Sequence, residues 1–349
     1  MKKPLLYILI ICFIICLALL CQSVACLSPA SQGQGAGVMP AVENTSIPGN
    51  ERLVESQPDV AEIEALPEFP LTVTDDLGRK VVINMLPKRI ISLAPGNTEI
   101  LFALDLDGSI VGVTDYCDYP DAAITKPRVA GYSTPDLERI VSLQPDLIVA
   151  ESIHEKTALP ALEQLGMTVF VTEAFTIDAI KNDISVLGKV TGKTGAASRV
   201  LDAMNYKIES VVSKTENLRP EQRLRVLYVN WHEPIWTMGR NNYINDVIDK
   251  AGGSNIYAAD FEKSRAVSLE SVIAKNPQVI FVSGMGTTGD VVYNGIVDEV
   301  RLYNVDAMRN KQIYKMRDAN LIERPGPRIA DGLMEVSRMI HPEIFGEYK

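Results

Sequence analysis

The chain has 349 residues, 46% hydrophobic and 22% charged, an ordinary globular composition with material for one large or two medium domains. Its formal net charge of −10 argues against a reader of phosphate backbones, and no nucleic-acid partner is expected. The charge is uneven: residues 1–27 carry +2, residues 28–70 carry −6 through seven acids set against Arg52, and the remaining −6 is spread over residues 71–349.

In chain order, Lys2 and Lys3 precede an apolar run from Leu5 to Leu20, which reads as an export signal and is slightly short for a membrane-spanning helix. Ser23-Val24-Ala25 then leads into Cys26, similar to a lipoprotein cleavage box except that Ser23 stands where Leu is usual. Lipidation at Cys26, an ordinary signal peptide and an uncleaved anchor helix are the three readings of residues 1–26. Four of the five cysteines lie here; Cys117 alone remains, so no internal disulfide is expected in the folded part, and Cys117 should be buried as a small hydrophobe. Residues 27–70, rich in Ser, Gln, Gly, Pro and Glu, lack apolar periodicity and read as a disordered tether.

Folding is expected to begin near Leu71, with a β-hairpin turning at Asp76-Leu77-Gly78. Strands at 89–93, 110–113, 147–150 and 169–172 alternate with helices at 98–104 and 159–165, a pattern that predicts a mostly parallel sheet covered by helices. A long helical stretch runs from Ile177 to about Lys214 with a break near Gly192, and Ala197, Val200, Leu201, Met204, Ile208 and Val211 recur along it at helical spacing. Alternation resumes with strands at 225–230, 279–283 and 312–316 and helices at 244–251 and 329–340. The expected fold class is α/β: two three-layer lobes, 71–190 and 219–349, joined by a bridging helix within 191–218, with the ligand cleft between the lobes.

One segment occurs twice. Leu137 to Ala150 and Leu269 to Val282 both read L-E-x-[IV]-[IV]-x-x-x-P-x-[LV]-I-x-[AV], a short helix, a proline break and a buried strand. The spacing is that of a domain, not of a solenoid repeat. Each copy carries a Glu, Glu138 and Glu270, in the first helical turn, where the helix dipole alone favours an acid. If the lobes are related by a pseudo-twofold, the pair offers matched acids to a symmetric partner with basic pockets.

Catalytic signatures are missing. The three histidines have no metal-ligand spacing, no G-x-S-x-G elbow occurs, and Gly188 to Thr194 is one residue short of a phosphate loop and follows a helix. No catalytic residue, metal site or cofactor is expected, and a binding protein is favoured over a secreted enzyme on a related bilobed fold. Aromatic residues sit instead in loops after strands: Tyr116 in Asp115-Tyr116-Cys117-Asp118-Tyr119-Pro120, Tyr132 before the first repeat copy, and Trp231 and Trp236 after the first strand of the second lobe. Such side chains suit a large planar ligand, with core packing as the alternative for each. The rigid loop Arg324-Pro325-Gly326-Pro327-Arg328 would aim Arg324 into the cleft, toward a carboxylate, amide or chelated-metal oxygen. A lone His232 between the tryptophans is more readily a packing residue than a metal ligand.

The segments Arg89 to Phe102, Val113 to Pro120, Leu137 to Val141 and Arg324 to Arg328 resemble the helical-backbone solute-binding proteins of ABC importers, which serve vitamin B12, ferric siderophores and haem. The resemblance covers about residues 71–345 and implies a monomer outside the cytoplasmic membrane that delivers a metal chelate to a permease dimer with its ATPase. It further implies that Glu138 and Glu270 dock against the permease. The D-Y-x-D-Y-P segment and the aromatic before the first repeat are similar to corrinoid-binding members, which points to Tyr116 and Tyr132. The Arg-Pro-Gly-Pro-Arg loop is commoner among other members, so a ferric siderophore or haem stands as the alternative cargo to a corrinoid.

Overall fold

The computed structural model describes residues 67–348 apart from Ala130 and 285–287. The export signal, Cys26 and the tether up to residue 66 lie outside the described residues. The hairpin comes first: β1 (Leu71–Thr74) pairs antiparallel with β2 (Lys80–Ile83). Its turn is tied by the Asp75 carboxylate, which accepts from the Arg79 amide at 2.9 Å, and Gly78 takes φ 76°, open to glycine without strain.

Two parallel sheets follow. The first contains β3 (Ile90–Ser92), β4 (Ile110–Val113), β5 (Leu147–Glu151) and β6 (Val169–Thr172) in the order β4-β3-β5-β6. The second lobe contributes β7 (Leu224–Val229), β8 (Trp231–His232), β9 (Ile235–Met238), β10 (Gly253–Asn255), β11 (Ser264–Val267), β12 (Val279–Val282) and β13 (Ile313–Lys315). Its parallel sheet runs β10-β7-β12-β13, while β11-β9-β8 form a separate antiparallel sheet. Both parallel sheets thus place their second strand outside the first and continue on the other side. Their central strands β3, β5 and β12 are buried on both faces, which is why they read as near-continuous apolar runs.

The repeated segment occupies equivalent places, each copy supplying the third strand of its sheet and the helix before it (Leu137–Ser142 and Leu269–Lys275). The correspondence extends to details. Asp136 and Ser268 cap the two helices, accepting from Arg139 N at 2.9 Å and Ser271 N at 3.2 Å. Gln144 and Asn276 both adopt left-handed backbone, φ 47° and 45°. Arg89 Nε donates to the Gln144 carbonyl at 3.0 Å, and Arg225 Nε to the Asn276 carbonyl at 2.9 Å. The Asp146 and Gln278 side chains accept from the Arg89 and Arg225 amides at 2.9 and 3.1 Å.

The bridging helix is Thr194–Thr215, 22 residues and therefore about 33 Å long. Helix Ile177–Val190 precedes it, and the reversal between them has Gly192 at φ 67°. A Cβ on Gly188 would lie 2.5 Å from that of Ala197, so the phosphate-loop-like stretch is a close helix crossing. The bridging helix packs on helices Pro95–Ala103 and Ile177–Val190 of the first lobe and on Tyr243–Lys250 and Ile329–Ile340 of the second. One apolar core consequently runs through both lobes, from Ile90 and Phe170 through Met204 and Val211 to Tyr228 and Leu333. Each sheet buries its other face in a core of its own.

Two expectations need correction. Trp231 to Trp236 is not a loop: the tryptophans are register partners across β8 and β9, joined by Glu233-Pro234. Trp and Ile favour a pleated, half-buried surface, and a two-residue connection closes a hairpin. The other departure is omission: β11, helix Gly289–Val297 and the short helices Asp306–Arg309 and Asn320–Glu323 lie where the sequence reading assigns no element.

Candidate functional site

The carboxyl ends of the strands converge on the crevice between the lobes. Pro95 and Gly96 follow β3, Tyr116 follows β4, Glu151 ends β5, and Thr172 and Glu173 end β6; from the second lobe comes the segment Asn320 to Pro325 after β13. They enclose two adjoining cavities of ≈ 570 and ≈ 230 Å³, which share Tyr132, Glu151, Glu323 and Pro325. A crevice at strand carboxyl ends is where open α/β sheets hold ligands.

Tyr116, Tyr132 and Arg324 therefore come together in the larger cavity, as the sequence suggests. Tyr116 is 61% exposed and offers its ring to the cleft. Tyr132 is half-buried and held from two sides. Its hydroxyl donates to Glu151, and its carbonyl is bonded at 2.6 Å by Nε2 of the buried His154. Burial raises the Glu151 carboxyl above its ordinary range, although the Tyr132 hydroxyl pulls the other way.

Arg324 lines the cavity but is not free to receive an anionic ligand. Its guanidinium donates to Glu99 at 3.2 Å and to Asp118 at 2.6 Å. Arg328 grips the same Glu99 with two hydrogen bonds, 2.8 and 2.6 Å, and lies 3.9 Å from the centre of the Tyr119 ring. The Pro-Gly-Pro loop thus crosses to the first lobe, and Gly96 makes the approach possible: a Cβ there would sit 2.7 Å from the Pro325 carbonyl. Glu99, 3% exposed, is the centre of this interlobe ion cluster, and sequence reasoning missed it. The one signal was that Glu99 is the only charged residue of helix Pro95–Ala103.

Trp231 and Trp236 line neither cleft cavity. Trp231 Nε1 donates to the Glu233 carbonyl at 3.0 Å, and its ring packs on the second-lobe core. The His232 ring is wedged against Gly295, where a Cβ would come within 2.2 Å. Cys117 is buried, as expected, with Thr98 and Thr114 hydroxyls 3.1 and 3.2 Å from its sulfur.

Glu138 and Glu270 are exposed in the first turns of their equivalent helices, outside the cleft cavities. Glu270 edges a further cavity of ≈ 450 Å³ with His232, Glu233 and Arg301. Its own backbone amide and the Ser268 hydroxyl hold the Glu270 carboxyl below the usual range. Arg301 there is paired with Glu299 at 2.6 Å, and that contact holds Glu299 at about 2.

Comparison with known proteins agrees with this geometry. The family model of the periplasmic binding proteins matches residues 90–319. The vitamin B12-binding protein of Vibrio cholerae is 31% identical over 250 residues, 71% of this chain and 87% of that protein. An ABC transporter substrate-binding lipoprotein of Bacillus subtilis, YvrC, is 28% identical over 284 residues, 80% of this chain and 88% of the relative. The crystal structure of the V. cholerae vitamin B12-binding protein superposes with a TM-score of 0.63 at 29% identity, covering 73% of this chain and 97% of that one.

Proposed function

This chain belongs to the periplasmic binding protein family, whose members serve ABC importers as extracytoplasmic binding proteins and not as enzymes, and from that premise we propose that its cargo is a corrinoid. The observation that carries the proposal is the charge of the cleft. Among the described residues lining its two cavities, Arg324 is the only cation, and it is ion-paired, whereas Glu151, Glu173, Asp183 and Glu323 are all acids. A ferric chelate or haem bearing carboxylates would meet net repulsion there. A corrin ring is edged by uncharged carboxamides and presents a broad apolar face, which the exposed Tyr116 and the fixed Tyr132 can flank. The vitamin B12-binding relative supports the same cargo.

Glu138 and Glu270 are the proposed permease contacts. They project from matched helices, outside the cavities, so docking and ligand capture use separate residues. Cys26 is the proposed lipid anchor, in keeping with the lipoprotein relative. Absorbance-monitored titration of the purified protein with cobalamins, ferric siderophores and haem tests the cargo. A spectral change saturating at micromolar cobalamin is expected; binding of a ferric chelate or haem with no response to any corrinoid would overturn the proposal.

A further inference from the structure

The smaller cavity, ≈ 230 Å³, differs in chemistry from the larger one that it adjoins. Asp183 on its wall is 2% exposed, and its Oδ1 is buried without a hydrogen-bond partner. An orphaned buried acceptor costs about 1–3 kcal/mol, a penalty that a donor entering the cavity removes.

On the other walls the Tyr132, Tyr243 and Thr172 hydroxyls present acceptors as well, because their hydrogens are turned away. Tyr132 donates to Glu151, Tyr243 donates to the Glu323 carbonyl at 3.0 Å, and Thr172 donates to Asn97 Oδ1 and the Ala150 carbonyl at 3.1 and 3.2 Å. Two lining residues keep donors: Asn242, whose Oδ1 accepts from the Ile244 amide at 2.8 Å and leaves its NH2 as a donor, and Ser152 through its hydroxyl. The lining residues include Glu151, Glu173, Asp183 and Glu323 and no cation. A guest that suits this cavity carries N–H donors and positive charge and is small.

We propose that the cavity is a distinct site for a small ammonium-type cation, entered from the cleft and recognised by Asp183 Oδ1 and Glu151. Asp183 Oδ1 supplies the acceptor, a bound cation draws the Asp183 and Glu151 carboxyls, both raised by burial, toward their ionised forms, the turned-away hydroxyls disfavour anions, and the volume admits a primary ammonium. The site does not depend on the identity of the cargo in the adjoining cavity.

The test is thermal unfolding of the full chain titrated with methylammonium chloride, without corrinoid and at ionic strength held constant with sodium chloride. A saturable rise in Tm of about 2–4 °C at tenfold excess over Kd is expected. Tetramethylammonium, which has the charge but no N–H, should give no rise. Asp183→Asn and Glu151→Gln should each weaken the response about tenfold; should one variant not fold, the other carries the test. No saturable response, an equal response to tetramethylammonium, or an undiminished response in a folded variant would overturn the assignment.

Discussion

Glu99 shows how much rests on one side chain. It is 3% exposed and is the shared acceptor of Arg324 and Arg328, whose side chains are 10% and 15% exposed. Removing one member of a buried ion cluster leaves the others uncompensated, so Glu99→Ala should lower stability by about 3–5 kcal/mol, measured by urea unfolding. A loss below about 1 kcal/mol would mean that water already solvates the cluster. Asp183 makes a prediction in pH. Burial, with the Asp76 and Glu151 carboxylates nearby, lifts its carboxyl to about 9. In the unfolded chain it ionises at the ordinary aspartate value, so the stability tied to its proton is fully present in acid and is lost as pH rises toward the folded value. Asp183→Asn should flatten the decline in stability between about pH 5 and 9; an unchanged slope would assign the decline to other groups. Neither residue was legible from spacing. Burial of Glu99 is decided by Arg324, 225 positions away in the chain, and that of Asp183 by Asp76, Glu151 and Tyr243 on other elements, and no local pattern encodes that.

At the scale of elements, the bridging helix is the most direct product of local sequence. Its apolar stripe and the Gly192 break were both readable, and the helix forms where they place it. Ala203 sits mid-helix with an exposed side chain, so its replacement isolates the backbone. Ala203→Gly should cost about 1 kcal/mol and Ala203→Pro about 3 kcal/mol or more in urea unfolding. The proline variant should also weaken cargo binding, because a kink would change the angle between lobes that share one core. Equal costs for the two substitutions would show that the helix bends without consequence. The tryptophan hairpin is the instructive counter-case. The sequence places its residues in a ligand loop, yet two residues between Trp231-His232 and Ile235-Trp236 suffice to close β8 on β9. Strand pairing with β11, about 30 residues downstream, then completes the sheet, and such a pairing leaves no mark on the local sequence.

The whole molecule presents two matched helices, each with an exposed Glu, beside a cleft that is itself acidic. Reversing Glu138 and Glu270 together to Arg should abolish cargo uptake in cells while leaving cobalamin affinity within about twofold, since neither lines the cleft cavities. Uptake at the wild-type rate would remove the docking role. By itself the sequence determined the α/β alternation, the long helix between two lobes and the duplicated Leu-Glu segment, because each is a pattern of nearest neighbours along one strand or helix. The structure added that the duplication reaches the caps, the left-handed turns and the arginine clamps on them. Only the tertiary structure decided which aromatic residues share the cleft, that Arg324 is locked to Glu99, and that Glu151, Glu173, Asp183 and Glu323 gather around one small cavity. Those are contacts between segments distant in the chain, set by how two sheets pack around one core, and their energies depend on burial that no single segment specifies.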